Sequence, residues 1–345
     1  LYPNLPQYGG LVAIGPVWVD GQPRISSLRA EGTSLVSPLA QPLAPQASVA
    51  ISLTFEVEIP QRSGGYVLFG HSQGIWSLPD AYPLLAVHDG SIGPSGPEAT
   101  WHEDLAPAHG DAVFADVALY DVILTVPSTM TVAATGSVVS EVEERDGQRM
   151  VHVVSGPLRE FAWLASADYS IAETIADGAT VRSYYLPGDE AAGEAALNTA
   201  AAALRVYADA FGPYPFAEMA VAEAPLLHYG MEYPGLNLIG LDLYRERREE
   251  LENRVAHEIA HQWWYAQVGN DQVRVPWLDE GLAEHSTATY YREVFGQARA
   301  NTLINQRWLV PYQAAVENGY DAVVNQPTAA FGREYEVIAV AYTHL

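Results

Sequence analysis

The first half of the chain alternates apolar and polar positions with the two-residue period of a β-strand. Between residues 48 and 60, six apolar side chains alternate with small or polar ones, namely Val49, Ile51, Leu53, Phe55, Val57 and Ile59. This pattern predicts a strand with one buried face. A further strand is predicted over residues 116–127, and a hairpin over residues 138–154 with its turn at Asp146-Gly147. No helical periodicity of useful length precedes Asp189, so we expect an all-β amino-terminal region.

From Asp189 onward the spacing of apolar positions becomes helical. Asp189 is suited to cap a helix that runs through an alanine-rich stretch to Phe211 and stops at a Gly-Pro pair. Further elements are predicted as helices over residues 244–266, 281–295 and 301–317, and as short strands over residues 218–222 and 236–241. The predicted architecture is an all-β domain over residues 1–175 and an α+β domain over residues 176–345.

Composition narrows the possible chemistry. The 345 residues include 42 acidic and 17 basic side chains, a net charge of −25 that disfavours nucleic acid and anionic membrane surfaces as partners. Cysteine is absent, which excludes disulfides, iron–sulfur clusters, thiolate zinc sites and cysteine nucleophiles. All basic residues are arginine, so a phosphate-loop lysine and lysine Schiff bases are excluded too. The chain has no run of 18 apolar residues, so no transmembrane helix is predicted.

The strongest chemical signal is the sequence His257-Glu258-Ile259-Ala260-His261. On a helix, residues four apart lie on one face, so both imidazoles can reach one metal ion. Glu258 is displaced sideways by one residue, where it can hold a metal-bound water rather than the metal itself. This segment therefore predicts a zinc site with an adjacent general base.

The third zinc ligand is expected from the next predicted helix. Glu280 lies 19 positions after His261 and supplies a carboxylate from that helix. Two histidines, one carboxylate and an open position are typical of catalytic zinc, since a structural site is closed by four protein ligands. Glu284, one turn further on, is the alternative ligand; we expect it, with Asp279, to support the ligands instead.

These motifs resemble those of the aminopeptidase N family of gluzincin zinc metallopeptidases. Residues 257–264 (HEIAHQWW) and 277–281 (WLDEG) match the family's zinc motifs, and residues 229–233 (YGMEY) resemble its Gly-x-Met-Glu-Asn exopeptidase motif. The resemblance implies a saddle-like β-sandwich domain followed by a thermolysin-like zinc metallopeptidase domain. It spans essentially the whole chain, although its specific motifs cover only residues 229 to 284 and one later tyrosine.

The resemblance also implies roles for individual residues. One Zn²⁺ per chain would be held by His257, His261 and Glu280, with Glu258 as the general base on a zinc-bound water. The substrate-binding and oxyanion residues implied in this way are Glu232 for the free α-amine, Gly230 and Met231 beside it, and Tyr342, or alternatively Tyr335, for the tetrahedral oxyanion.

The chain also departs from the family pattern. Tyr229 and Tyr233 stand where the exopeptidase motif has Gly and Asn, so the first subsite is expected to differ. The Lys-Gly that usually follows the catalytic tyrosine is absent, and the sequence ends at Leu345. We therefore expect a fragment or processed form whose catalytic domain is truncated on its carboxy-terminal side.

The expected function is a zinc-dependent aminopeptidase that hydrolyses the amino-terminal peptide bond of peptides. A zinc endopeptidase, another zinc hydrolase and a non-catalytic peptide-binding protein remain alternatives. The expected partners are peptides with a free amino terminus, and the oligomeric state is open. Many bacterial relatives of this type work outside the cytoplasm, which favours an extracytoplasmic or cell-surface location over a cytoplasmic one.

Other candidate signals have simpler interpretations. Ser72 lies in a Gly-x-Ser-x-Gly sequence typical of serine hydrolases, but Pro79 leaves little room for the helix that must follow, so a β-turn is expected. His228 is a possible subsite residue. The remaining polar groups are interpreted as solvated loop or helix residues: His102, Asp104, His109, Asp111, Arg245, Arg247, Arg248 and Arg254.

Overall fold

The computed structural model describes residues 12–93, 96–103, 113–143, 146–227, 229–319 and 321–331. Up to residue 166, the named strands of this described part all pair antiparallel with their neighbours. In chain order they are β1 (Val12–Val19), β2 (Gln22–Arg24), β3 (Ser27–Arg29), β4 (Ser34–Val36), β5 (Ile51–Val57), β6 (Gly70–Ser72), β7 (Ile75–Ser77), β8 (His88–Gly93), β9 (Gly96–Trp101), β10 (Asp121–Pro127), β11 (Thr131–Ala134), β12 (Ser137–Glu143), β13 (Gln148–Val154) and β14 (Trp163–Ser166). Their largest sheet has the order β11-β14-β7-β6.

The second half combines one mixed sheet with helices. Its strands are β15 (Ser170–Ala176), β16 (Ala179–Tyr185), β17 (Glu218–Ala224), β18 (Gly230–Tyr233) and β19 (Leu236–Gly240). The sheet order is β15-β16-β17-β19-β18, with parallel pairing on both sides of β17 and antiparallel pairing at the two edges. The helices are α1 (Glu190–Phe211), α2 (Leu241–Arg245), α3 (Arg248–Ala260), α4 (Trp277–Phe295), α5 (Gln297–Ile304) and α6 (Val310–Glu317), with a π-helical turn (Asn305–Leu309) between the last two.

The mixed sheet is covered on both faces. On one face, Val221 and Ile239 belong to the apolar core that the sheet forms with α1, α3 and α4. On the other face, Leu236 and Leu238 pack in a second core with residues of the β-region such as Leu164. A strand buried on both sides becomes continuously apolar, which explains why six consecutive residues of β17 are buried. The sheet is thus the layer that joins the two halves.

The structure confirms the predicted order of a β-region followed by an α+β region. The strand around residues 48–60 and the hairpin of β12 and β13 are present, and α1 begins directly after Asp189 and ends before Gly212. β18 was not predicted from the sequence pattern. It is the edge strand that carries Gly230, Met231 and Glu232.

The prediction of one helix over residues 244–266 is wrong. Arg247 has non-helical backbone angles and separates α2 from α3. The first turn of α3 contains Glu249 and Glu250, and acidic residues suit a helix amino terminus. At the other end α3 stops at Ala260, and the backbone of Tyr265 adopts a φ of 140°. A side-chain hydrogen bond from Arg159 to the Tyr265 carbonyl oxygen, at 3.2 Å, holds the chain away from the helical path.

The division into two domains remains a proposal, and the sheet favours a boundary slightly earlier than residue 175. β15 begins at Ser170 and pairs along its whole length with β16, from Ser170 opposite Tyr185 to Ala176 opposite Ala179. A boundary at 175/176 would cut this strand. We therefore propose that the second domain starts just before Ser170.

Gly193 allows α1 to lie directly on β16, which generates a prediction for stability. A Cβ at Gly193 would lie 2.2 Å from Cδ1 of the buried Tyr185 ring. Overpacking costs about 1–3 kcal/mol and outweighs the gain of about 0.5–1 kcal/mol from replacing a helical glycine by alanine. We expect Gly193→Ala to lower the free energy of unfolding, measured by urea denaturation. Asn198→Ala, at an exposed position of α1, is the control and is expected to be neutral or slightly stabilising; equal effects of the two variants would contradict the packing argument.

Candidate metal centre

His257 on α3 and His261, which directly follows the helix and keeps helical backbone angles, lie side by side. Leu251, Val255 and Ile259 are buried in the helical core, so the orientation of the helix is fixed. The four-residue spacing then places His257 and His261 on one face, with their Nε2 atoms 3.2 Å apart. The Nδ1 atom of His261 lies 3.1 Å from the carbonyl oxygen of Trp264, which leaves Nε2 for a metal ion.

Helix α4 brings a carboxylate to these histidines. Oε2 of Glu280 lies 3.2 Å from Nε2 of His257 and 4.0 Å from Nε2 of His261. One ligand atom from each of the three residues fits within a distance of 4.8 Å. The sequence-predicted ligand set is therefore assembled at one point between two helices.

Glu258 lies beside this cluster and under strand β18. A Cβ at Gly230 would lie 2.3 Å from Oε1 of Glu258, so only glycine allows the strand to approach this carboxylate so closely. Arg254, one helical turn earlier, contacts the same oxygen at 3.4 Å. The expectation that Arg254 lies on a solvated helix face is wrong, because positions 254 and 258 share one face of α3 and the Arg254 side chain is only 16% exposed.

Glu284 contacts the opposite nitrogen of His257. Its Oε1 atom lies 3.3 Å from Nδ1, whereas Glu280 approaches Nε2. Glu284 is buried and also accepts a hydrogen bond of 3.0 Å from the indole of Trp308, in the π-helical turn. This arrangement favours Glu280 as the third ligand and Glu284 as the partner that orients the imidazole.

Glu232 points from the edge strand into the same region. One of its carboxylate oxygens lies within 4.8 Å of possible ligand atoms of Glu258 and His261. Gln272 donates a hydrogen bond of 2.9 Å to Glu232 and another of 2.6 Å to Asp279. Asp279 also accepts a hydrogen bond from Asn270 at 2.8 Å. Gln272 and Asn270 lie in a loop without helical or strand periodicity, and no motif in the sequence indicates their role.

The carboxyl groups of the site differ in their affinity for protons. Burial disfavours the Glu280 carboxylate, but the hydrogen bond with His257 and the charges of the two histidines hold its pKa at about 2. Burial, reinforced by the charge of Glu280, raises the pKa of Glu232 to about 7. Burial also raises the pKa of Asp279 to about 7 and raises the pKa of Glu258. A cation among these groups would favour their ionised forms.

Several sequence-predicted residues lie outside the described part of the chain. These are Tyr342, Tyr335, His228, Asp104, His109 and Asp111. Ser72 is described: it is buried on β6, and β6 forms a hairpin directly with β7. The strand–turn–helix arrangement of a serine-hydrolase nucleophile is therefore absent at Ser72.

The donor atoms fit zinc. Zn²⁺ in catalytic sites is held by imidazole nitrogens and carboxylate oxygens with one position left open. Both imidazoles are buried, whereas the Glu280 side chain is 30% exposed, so the cluster has one side turned towards solvent. Two histidines and one carboxylate with this partial access match a catalytic zinc site.

The family comparison agrees with the donor set. Residues 195–331 match the model of the peptidase family M1 domain. This match covers 137 of the 345 residues, so that segment is similar to the M1 peptidase domain. The matched segment contains all three proposed zinc ligands, Glu258 and Glu232.

Two curated relatives of the M1 domain are aminopeptidases by name. The alanine/arginine aminopeptidase of Saccharomyces cerevisiae is 36% identical over 114 residues, which cover 30% of this chain and 13% of the relative. Aminopeptidase M1-A of Oryza sativa subsp. japonica is 30% identical over 184 residues, which cover 48% of this chain and 20% of the relative. The chain thus matches a fifth or less of the length of these relatives.

Solved structures extend the fold match to nearly the whole chain. An M1 zinc metallopeptidase from Deinococcus radiodurans superposes with a TM-score of 0.64 at 18% identity, covering 96% of this chain and 70% of that chain. A mutant of the Deinococcus protein bound to a Tyr-Ser-Ala substrate gives a TM-score of 0.64 at 18% identity, covering 96% and 73%. The predicted fold class and the resemblance to the aminopeptidase N type of zinc metallopeptidase are confirmed.

None of the helices within the described ranges has the length and apolar character that a membrane span requires.

The contact between Glu284 and His257 generates a prediction for metal affinity. A carboxylate behind a metal-binding imidazole raises its basicity and fixes its orientation, and loss of such a partner costs about tenfold to hundredfold in affinity. We expect Glu284→Gln to weaken zinc binding by this factor in a competition titration with a fluorescent chelator. Glu249→Gln, in the first turn of α3, is the control; unchanged affinity in Glu284→Gln would argue against the orienting role.

Proposed function

We propose that this chain is a zinc-dependent aminopeptidase that removes amino-terminal residues from peptides, with one Zn²⁺ per chain held by His257, His261 and Glu280. The observation that carries the proposal is the position of Glu232. Its carboxylate lies within 4.8 Å of possible ligand atoms of Glu258 and His261. A carboxylate next to the metal cluster gives a substrate ammonium group a charge-assisted anchor.

The names of the similar proteins support the same reaction class. Both curated relatives are called aminopeptidases. One neighbouring structure has a Tyr-Ser-Ala substrate bound, which is a short peptide. The substrate class proposed here is therefore short peptides with a free amino terminus.

In the proposed reaction, zinc supplies Lewis-acid chemistry that activates water and polarises the scissile carbonyl. Glu258 accepts the proton of the attacking water at its carboxylate and later delivers a proton to the leaving amine. Because Gly230 has no side chain, strand β18 lies directly over Glu258. The Glu258 side chain is 3% exposed, so the residues packed around it fix its orientation.

Glu232 determines which peptide bond is cleaved. Binding of the α-amine at a fixed distance from the cluster places only the first peptide bond beside Glu258. Gly230 and Met231 precede Glu232 on the same edge strand and are proposed to line this subsite. We propose Tyr342, with Tyr335 as the alternative, as the hydroxyl donor to the oxyanion.

The assignment of Glu258 predicts a separation of metal binding from catalysis. Glu258→Gln keeps the shape of the side chain but removes the base, so we expect zinc content to stay the same and kcat to fall by at least about a hundredfold. Metal analysis and peptide hydrolysis measure the two quantities on one sample. Retained turnover would rule out Glu258 as the base.

The assignment of Glu232 predicts a dependence on the free amine. We expect the wild-type protein to cleave a free peptide but not its amino-terminally acetylated copy, and a chelator to abolish this cleavage. Glu232→Ala removes the charge-assisted anchor, worth about 1.5–3 kcal/mol, and should lower kcat/KM on the free peptide about tenfold to hundredfold. Cleavage of both peptides by the wild type would indicate an endopeptidase.

A further inference from the structure

Residues 265–276 form the last part of the segment between α3 with its capping residue His261 and α4, which carries Glu280. We call this part the connecting loop. Gln272 lies in the middle of it and is 2% exposed. A polar side chain is buried at little cost only when its hydrogen-bonding groups find partners, so the partners of Gln272 indicate what it is for.

The amide nitrogen of Gln272 donates to two carboxyl groups. It lies 2.9 Å from Oε1 of Glu232 and 2.6 Å from Oδ2 of Asp279. A primary amide has two N–H donors, and here each is directed to a different buried acid. The two acceptors belong to different parts of the fold, the edge strand β18 and the start of α4.

This amide therefore ties the amine-binding strand to the zinc-binding helix. Asp279 directly precedes Glu280, the proposed third zinc ligand. An aminopeptidase must hold its substrate amine at one distance from the metal, because small displacements of a bound substrate cost rate steeply. Gln272 hydrogen-bonds to Glu232, the proposed amine anchor, and to Asp279, the residue before the proposed zinc ligand Glu280. It therefore links the two groups that set the distance between amine and metal.

We propose that Gln272 is a positioning residue that fixes Glu232 relative to the zinc site and thereby governs binding of the substrate's α-amine. This inference rests on the proposed aminopeptidase function. In this role Gln272 contacts neither the metal nor the bond that is cleaved.

The residues on either side of Gln272 are held in place by hydrogen bonds. Asn270 donates to Asp279 at 2.8 Å and to the carbonyl oxygen of Val275 at 3.1 Å. The backbone N–H of Thr328 donates to the carbonyl oxygen of Val273 at 3.0 Å. These hydrogen bonds hold the connecting loop on both sides of Gln272. The position of the Gln272 amide is therefore set by the loop and not by Glu232.

The loop is also fastened to the β-region. The guanidinium group of Arg159 occupies the space next to Gly269, where a Cβ would lie 1.8 Å from Nη2. Arg159 also donates to the carbonyl oxygens of Tyr265 and Ala115, at 3.2 Å and 2.8 Å. The β-region thus contributes to the placement of the amine-binding residue through the connecting loop.

The test compares Gln272→Met with two reference variants. Methionine keeps the length of the side chain and removes both donors. Glu232→Ala reports loss of the amine anchor itself, and Gln267→Met makes the same exchange at an exposed position of the same loop. For each protein, kcat and KM are measured on a free peptide, zinc affinity by chelator competition, and amine binding by calorimetry with alaninamide.

We expect Gln272→Met to raise KM for the free peptide and weaken alaninamide binding about tenfold to hundredfold, the range for a hydrogen bond to a charged group. Zinc affinity should stay within about twofold of wild type, because the ligands are untouched. Gln267→Met should match wild type. Gln272→Glu has the same shape and cannot donate to both carboxylates, so it should show the same loss of alaninamide binding. This variant tests the positioning role if the methionine variant does not fold.

Three results would overturn the inference. If Glu232→Ala loses amine binding while both Gln272 variants retain it, Gln272 does not position Glu232, although the aminopeptidase proposal stands. If zinc affinity falls in parallel with amine binding in both variants, Gln272 has only a structural role in the loop. A wild-type protein that does not discriminate between free and acetylated peptides would remove the proposed function, and the role of Gln272 with it.

Discussion

The whole arrangement depends on bringing one carboxylate to two imidazoles from separate helices, with all three ligand atoms within 4.8 Å. The helical period of α3, continued by its capping residue His261, aligns both histidines, but α4 must be placed independently. Ala256 and Ala260 on α3 and Ala283 on α4 are fully buried in the core that the two helices share, and side chains this small permit close packing. The hydroxyl of Tyr207 on α1 donates to the carbonyl oxygen of Ala256 at 2.9 Å, which ties the first long helix to the metal helix.

The mixed sheet adds the second half of the site. Because it is buried between the helices and the β-region, its edge strand β18 is held at a defined depth. That depth allows Gly230 to cover Glu258 and places Glu232 beside the metal cluster. The β-region is therefore more than an appended domain, since its packing on the sheet and the contacts of Arg159 with the connecting loop support both sides of the site.

The sequence was sufficient where one local rule decides the geometry. The helical period was enough to place His257, Glu258 and His261, and residue alternation was enough for the long strands. Glu280 followed from spacing combined with a family resemblance. The end of α3 at Ala260 and the role of Gln272 could not be predicted, because both depend on contacts with residues distant in sequence, such as Arg159 and Glu232. Arg254 could have been predicted beside Glu258, since the two residues are four apart on one helix.

The charge balance of the site explains which ligands it can accept. Among the described residues, five buried or half-buried carboxyl groups converge here, on Glu232, Glu258, Asp279, Glu280 and Glu284. They face the two imidazoles and the guanidinium groups of Arg254 and Arg307. Glu280 and Glu284 take the direct contacts with His257, and the pKa of each is held at about 2. Glu232 and Asp279 have no such partner among the described residues and share the neutral amide of Gln272, and burial raises the pKa of both to about 7. Of these two carboxyl groups, Glu232 is the one that lies within 4.8 Å of possible ligand atoms of Glu258 and His261, where a substrate ammonium group would supply positive charge.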